Sequence, residues 1–299
     1  MTLALHGKSK TRQGWLIAIA VAVVAFAALA GAGTLLGAGD ARATGTVVVT
    51  QTNGVDWFPA DTRAPGVGKF RIGPGTPPLG TGSFEMTTLT NPEKVQLFTN
   101  RYAGTLLSNV QGIGYSTYRD PSSTGFIAGV AALNIRVDLD GNGTADAYMV
   151  YEPYQDQGNS AVSTGVWQNW DAYRAGAAKW WINTNANNCG QATPCTWSAI
   201  VAAYPNAAVR EAANCGPGGI NSPCPGSLGV NQGSYNAGII SSVDALYVNV
   251  SGDTTTFDFE PAVGPPTDKD QCKKDGWMTF NSPTFPDQGT CVSYVNNHN

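Results

Sequence analysis

Oxygen-bearing side chains recur at alternate positions between residues 138 and 146, a spacing that can bind a metal ion. Asp138, Asp140, Asn142 and Asp146 supply side-chain oxygens at loop positions 1, 3, 5 and 9, and Thr144 supplies a backbone carbonyl at position 7. Calcium takes six to eight oxygen ligands, and EF-hand loops use this spacing. The sequence therefore predicts a calcium site in this loop.

The loop departs from an EF-hand at its end, because position 12, where that loop carries a bidentate glutamate, is Met149. The flanking residues also resemble strands, so a further ligand would come from elsewhere, with Glu152 the nearest candidate. The alternative is a plain β-hairpin, since Asp-Gly and Asn-Gly are common hairpin turns. Repulsion between Asp138 and Asp140 favours the cation, because a plain turn needs neither charge.

Aromatic residues concentrate over residues 151–181 and are interleaved with acids and amides. The candidate ligand-binding residues are Trp167, Trp170, Trp180, Trp181, Glu152 and Tyr154. Flat rings cover the C–H face of a sugar while polar groups bind its hydroxyls, so this composition suits carbohydrate. The alternative is core packing, because Trp is mostly buried and two adjacent Trp residues on a strand face opposite sides. Trp57 and Trp197 are predicted to lie in the core.

Catalysis is constrained by the two histidines, His6 near the start and His298 near the end of the chain. Their positions leave no interior imidazole for a Ser-His-Asp or Cys-His system or for a His-ligated metal. Any hydrolase would depend on a pair of carboxylates. Five acids could supply such a pair, namely Glu85, Glu152, Asp171, Asp258 and Glu260. Their spacing singles out no pair.

The first 43 residues have the pattern of an export signal. Lys8, Lys10 and Arg12 precede an uncharged apolar run over 15–39, and Ala41-Arg42-Ala43 provides a small-x-small cleavage site. The sequence predicts a signal peptide over 1–43. The alternative is an uncleaved anchor, since residues 15–36 are long enough to span a bilayer. In both cases the remaining chain lies outside the cell, and any membrane contact is through this segment.

The charge balance argues against nucleic-acid partners. The chain has 17 basic and 21 acidic residues; without the four basic residues and one acid of the first 43, 13 and 20 remain, a net charge of −7. Phosphate backbones attract basic surfaces, and this chain has no cluster of Lys or Arg.

Six cysteines fit an oxidising exterior. They lie at Cys189, Cys195, Cys215, Cys224, Cys272 and Cys291. An even count in an exported chain predicts disulfides, although sequence alone allows 15 pairings of six cysteines. Proximity along the chain favours the pairs Cys189–Cys195, Cys215–Cys224 and Cys272–Cys291.

Short segments rich in Val, Ile, Thr, Tyr and Phe alternate with Gly and Pro, which is typical of an antiparallel β-sandwich. The predicted strands cover 46–50, 69–72, 83–87, 112–118, 132–139, 145–151, 165–170, 245–250 and 254–259. One helix is predicted over 196–204, with Thr196 as its cap. Residues 44–260 thus form the predicted sandwich domain.

A Pro-rich linker over 261–267 precedes a small unit over 268–299. Two short helices are predicted there, over 268–274 and 287–296, with Asp287 capping the second. A disulfide between Cys272 and Cys291 would stabilise a unit too small for a large core.

Several motifs resemble known modules. The closing pattern Val243-Asp-Ala-Leu-Tyr-Val-Asn249 and Thr255-Thr-Phe-Asp-Phe-Glu260 resembles jelly-roll carbohydrate-binding and lectin-like modules. Tyr115-Ser-Thr-Tyr118, Tyr151-Glu-Pro-Tyr154, Trp167-Gln-Asn-Trp170 and the Cys272–Cys291 tail resemble segments of uncharacterised secreted bacterial proteins. The resemblance implies a calcium-stabilised jelly-roll-like sandwich that binds glycans, and it identifies no individual site residue.

We therefore expect a secreted or cell-surface module that binds carbohydrate or a surface polymer without catalysis. A carboxylate-dependent polysaccharide hydrolase or lyase is the first alternative, and a structural or adhesive surface protein is the second.

Overall fold

A computed structural model describes residues 45–51, 56–211, 226–262, 264–273, 277, 280, 283 and 285–298. The predicted export segment over 1–43 lies outside the described residues, as do Cys215 and Cys224. In the described part of the chain, no helix combines the length and apolar character needed to cross a membrane.

Two sheets form the main body. Sheet 1 contains β1 (Gly45–Val49), β3 (Val67–Ile72), β4 (Gly82–Thr88), β6 (Val110–Arg119), β9 (Trp167–Asp171), β14 (Ile239–Val250) and β15 (Asp253–Phe259). Its long central strand β14 pairs with β6 along one side and with β4 and β15 along the other. All of these pairs are antiparallel except β1 with β15, which is parallel.

Sheet 2 contains β2 (Trp57–Pro59), β5 (Lys94–Thr99), β7 (Ala132–Asp138), β8 (Ala147–Tyr151), β10 (Lys179–Ile182), β11 (Cys195–Thr196), β12 (Ala208–Val209) and β13 (Leu228–Gly233). Its order is β11-β10-β8-β7-β13-β5-β2, with β12 paired to β7. The middle strands β7, β13 and β5 are almost continuously buried.

The core lies between the sheets and is rich in aromatic rings. Trp57 of sheet 2 packs edge-on against Phe257 and Phe259 of sheet 1, at centroid distances of 5.0 and 5.1 Å. Tyr115 of sheet 1 meets Tyr151 of sheet 2 at 6.3 Å. Burying each such ring contributes roughly 1.5–3 kcal/mol, so these contacts hold the two sheets together. The predicted class, a mostly β sandwich, is confirmed.

The helices are short. α1 spans Pro153–Gln157, α2 spans Trp197–Ala203 and α3 spans Gln288–His298. Single 3₁₀ turns occur at Leu107–Asn109, Asn159–Ala161, Arg174–Gly176, Ala186–Asn188 and Lys269–Cys272. The predicted cap of α2 is confirmed, because the Thr196 hydroxyl accepts a hydrogen bond from the Ala199 N–H at 3.2 Å. α1 is not predicted by the sequence, because five residues show too little helical periodicity.

The tail forms its own small cluster. Cys272 is bonded to Cys291, and both are fully buried beside Phe280, Phe285 and Val295. The Asp287 carboxylate accepts the Thr290 N–H at 2.7 Å and so caps α3, as predicted. The first tail helix differs from the prediction: it is one 3₁₀ turn, since Gln271 and Asp268 satisfy each other's backbone N–H groups over a single turn. Residues 274–276 lie outside the described range.

Each of the nine predicted strands has a counterpart in the sheets. The sequence reasoning missed several others, of which β13 is the most instructive. β13 reads Leu-Gly-Val-Asn-Gln-Gly, a composition with weak strand propensity. It forms because β5 and β7 pair with it on both sides. The close approach of β5 also requires glycine at position 229, where a Cβ would lie 2.2 Å from the Leu97 carbonyl oxygen.

Candidate functional site

The β8–β10 pair separates the two adjacent tryptophans. Trp180 faces inward, is fully buried, and packs against Tyr151 and Trp197 at 5.5 and 5.4 Å. Its indole N–H donates to the Ala172 carbonyl at 2.7 Å. Trp181 faces the other side, is half-buried, and donates its indole N–H to Glu152 Oε2 at 2.9 Å. Only Trp181 of this pair can therefore contact a ligand at the surface.

Glu152 lies where β8 ends and α1 begins. Its backbone carbonyl accepts the Gln155 N–H at 2.9 Å, and Pro153 occupies the first helical position. Its carboxylate makes no capping bond and instead accepts from Trp181, from the Tyr154 hydroxyl at 3.3 Å and from the Gln191 amide at 3.3 Å. All three bonds reach Oε2. Among the described residues none reaches Oε1, which leaves that oxygen for a ligand.

The surroundings of Glu152 raise its pKa. Burial is the largest cause, and the hydrogen bonds from Trp181, Gln191 and Tyr154 offset it only in part. The pKa of the Tyr154 hydroxyl is also raised, first by burial and then by the negative charge of Glu152. The described residues place no Lys or Arg within ion-pair distance of this carboxylate. Glu152 is therefore a partly desolvated acid that has no counter-ion in the described part of the chain.

Phe126 and Gln191, which were not predicted from the sequence, complete the arrangement around Glu152. Phe126, which is 48% exposed, packs edge-on against Tyr154 at a centroid distance of 5.0 Å. Arg119 holds its loop by donating to the carbonyls of Gly125 and Phe126, each at 3.2 Å. Gln191 lies in the loop closed by the disulfide Cys189–Cys195.

We call the set Phe126, Glu152, Tyr154, Trp181 and Gln191 the Glu152 site. The sequence contains only weak signals for Phe126 and Gln191. Phe126 lies in a glycine-flanked segment, and Gln191 carries an amide between the two cysteines Cys189 and Cys195.

The other candidate tryptophans belong to β9 in sheet 1. Trp170 is buried and donates its indole N–H to the Thr117 hydroxyl at 2.8 Å. Trp167 is half-buried, donates to the Pro74 carbonyl at 2.8 Å, and lies 5.8 Å from the Tyr118 ring. The structure thus brings Glu152 and Tyr154 together with Trp181 of sheet 2, and it places Trp170 and Trp180 in the core.

The loop between β7 and β8 contains the predicted calcium ligands. Carboxylate oxygens of Asp138, Asp140 and Asp146 lie within 4.8 Å of one another, which suits a cation. Asn142 donates its amide to Asp140 at 3.0 Å and accepts the Thr144 N–H at 2.8 Å. Glu152 follows β8, whereas Asp146 precedes it. Since a five-residue strand spans roughly 17 Å, Glu152 lies too far away to be the further ligand.

Asp138, however, already has a full set of partners. Its Oδ1 accepts the N–H groups of Gly141 at 2.8 Å and Asn142 at 3.1 Å. Its Oδ2 accepts from the Gly143 N–H at 2.8 Å and from the Arg210 guanidinium at 3.2 Å. Burial raises the Asp138 pKa, but these donors outweigh it and the net shift is downward. A carboxylate has about four acceptor positions, so calcium binding here would require displacing a donor, and it stays a prediction.

A second group of acids lies under the segment Leu79 to Gly82. Asp244 accepts the N–H groups of Leu79 at 2.9 Å and Phe259 at 3.0 Å, and Glu260 accepts that of Gly82 at 2.9 Å. Asp258 Oδ1 is buried and has no hydrogen-bond donor among the described residues.

The segment approaches these acids closely, since a Cβ at Gly80 would lie 1.8 Å from Glu260 Oε1. Burial first, and then the charges of Asp244 and Glu260, raise the pKa of Asp258 to about 7. Backbone N–H groups of this segment thus cover Asp244 and Glu260.

Glu85 and Asp171, the remaining acids that could have formed a catalytic pair, are bound to groups of the protein itself. Glu85 is paired with Lys69 at 3.1 Å and with Arg71. Asp171 accepts the N–H groups of Tyr173 at 2.9 Å and Arg174 at 2.8 Å.

No protein-family description, curated protein or solved structure was found to match this chain.

Proposed function

We propose that this protein is a secreted or cell-surface binding module for carbohydrate or a surface polymer, and that the Glu152 site is its binding surface. The observation that carries the proposal is Oε1 of Glu152, which accepts no hydrogen bond from the described residues, on a carboxylate whose other oxygen is fixed by three donors. Preorganised polar groups beside exposed rings suit a ligand that is apolar on one face and polar at its edge.

The neighbouring rings provide the apolar part. Trp181 and Tyr154 are half-buried, so each ring has packed support and a free portion, and Phe126 extends the surface. Fixing these rings in the free protein lowers the entropy lost on binding. The disulfides Cys189–Cys195 and Cys272–Cys291 support an extracellular location, because such bonds persist in oxidising compartments.

Binding is favoured over hydrolysis because Asp156, the acid nearest to Glu152 along the chain, already has structural partners. A glycosidase needs a second carboxylate facing the first across the substrate. The Asp156 side chain is fully buried, paired with Arg174 at 2.5 Å and bonded to the Lys179 N–H at 2.8 Å. It is committed to structure. Glu152 alone can position a ligand but cannot complete a two-carboxylate mechanism.

The test is a glycan array followed by calorimetric titration of the purified protein. Trp181→Ala should weaken binding by 10-fold or more, because an aromatic anchor contributes about 2 kcal/mol. Trp167→Ala, which removes a half-buried Trp on the other sheet, is the matched control and should bind as wild type. Melting curves confirm that both variants fold.

Other results would overturn the proposal. Release of reducing sugar that vanishes in Glu152→Gln would make the protein a hydrolase. Absence of binding and of product release would leave a structural or adhesive role.

A further inference from the structure

Glu152 differs from three other buried acids in the charge of its partners; Asp244 and Asp258 also have no ion pair among the described residues, but they lie under the segment Leu79 to Gly82. Asp138 is paired with Arg210, Asp156 with Arg174, and Glu85 with Lys69 and Arg71. The three donors to Glu152 are an indole N–H, a phenol hydroxyl and a carboxamide, all of them neutral. A desolvated carboxylate without a cation is unfavourable, so a ligand that brings a positive charge would gain more here than a neutral one.

The rings around Glu152 favour the same kind of ligand. The face of an aromatic ring carries partial negative charge and attracts ammonium groups. Trp181 and Tyr154 both donate to Glu152 Oε2, so their rings lie beside the carboxylate, and Phe126 packs against Tyr154. An ammonium has three donors and no acceptor, which matches an unoccupied oxygen at Oε1.

We infer that Glu152 makes this surface selective for glycans with free amino groups, its Oε1 accepting a hydrogen bond from the ammonium of an amino sugar. This inference rests on the proposed function. A hydroxyl could occupy the same position but would not neutralise the carboxylate. An N-acetylated sugar has lost the charge, and a uronic acid would be repelled. The side chain of lysine carries the same ammonium, but it lacks the pyranose face that the rings would cover.

The experiment compares glucosamine hexamer with N-acetylglucosamine hexamer by calorimetric titration of the purified protein at about pH 6 and low salt. We expect the free-amine hexamer to bind at least 10-fold more tightly, and we expect that difference to shrink as salt is added. Glu152→Gln keeps an acceptor for the three donors but has no charge, so it should bind both hexamers equally. Glu211→Gln, which neutralises an exposed acid, should keep the wild-type preference.

A second variant guards against failure of Glu152→Gln to fold. Gln191 already contacts Glu152, so the ammonium of Gln191→Lys can occupy the carboxylate and should abolish the preference. Equal binding of both hexamers by wild type would overturn the inference while leaving the proposed function intact. A preference that survives in Glu152→Gln would overturn it as well. Binding of poly-lysine alone, without either hexamer, would overturn both the inference and the glycan proposal.

Discussion

Two carboxylates flank strand β8 and have opposite environments. Asp138 opens the loop before β8, where three backbone N–H groups and Arg210 use its acceptors and lower its pKa. Glu152 follows β8, where the donors of the described residues are neutral and reach one oxygen only, and burial raises its pKa. The first carboxylate is satisfied by its own chain and stabilises a turn. The second is incompletely satisfied, and incomplete satisfaction is what leaves a protein group free for a ligand.

The largest effect is expected when the satisfied carboxylate is removed. Asp138→Ala leaves the N–H groups of Gly141 and Gly143 and the Arg210 guanidinium without their acceptor, so we expect unfolding free energy to fall by about 3 kcal/mol. Asp140→Ala, in the same loop but exposed, should lose well under about 1 kcal/mol. Urea denaturation of both variants gives the comparison. Equal losses would mean that the Asp138 contacts do not stabilise the loop.

A somewhat smaller effect is expected from pH on the covered acids. In the folded protein the pKa of Asp244 is raised to about 6, chiefly by burial, and that of Asp258 to about 7. Because each folded value exceeds the unfolded one near 3.9, the native state binds more protons between the two values. Stability should therefore be greatest near pH 4 and fall as pH rises from there to about 7, by a loss on the order of a few kcal/mol.

Asp258→Asn removes one of these charges and tests the assignment. It should stabilise the protein at pH 8 by about 1 kcal/mol and have little effect near pH 4, as measured by thermal melting at both values. Glu211→Gln serves as the control, since it neutralises an exposed acid outside the group. A pH profile for Asp258→Asn that parallels the wild-type profile would show that Asp258 does not carry the effect.

A small effect of the opposite sign to Asp138→Ala is expected at Glu152. Because burial raises its pKa, the ionised form weakens the free protein at pH values above the unfolded value. Glu152→Gln should therefore leave stability unchanged or raise it by up to about 1 kcal/mol at pH 8, without ligand. If Glu152→Gln loses as much unfolding free energy as Asp138→Ala in the same denaturation assay, Glu152 is a structural group like Asp138, and the contrast between the two carboxylates is wrong.

The smallest effect is expected from calcium on the wild-type protein. Calcium at the Asp138 loop must compete with Arg210, so EDTA should lower the melting temperature by no more than about 1 °C. Arg210→Gln frees an acceptor and removes the competing charge, so this variant should show the larger response to calcium. A wild-type shift of many degrees would show that the loop binds calcium with Arg210 in place.

Sequence reasoning was most successful where the signal is local. The β-branched residues Ile135 and Val137 of β7 are both fully buried, and the α2 cap depends on Thr196 and its immediate successors. β13 was missed because its partners, β5 and β7, are distant in sequence and override its low propensity. In the Glu152 site, Phe126 and Gln191 were missed because they come from loops whose positions depend on Arg119 and on a disulfide.

By itself, the sequence determined the mostly β class, the capped helix, the two described disulfides and the region that holds the aromatic residues. These features follow from periodicity, side-chain chemistry and short chain separation. Only the tertiary structure decided which rings are buried, that Arg210 reaches Asp138 across 72 positions, and that Glu152 Oε2 rather than Oε1 receives its donors. The reason is physical: whether a carboxylate is satisfied depends on donors brought from remote parts of the chain, and local sequence does not encode their positions.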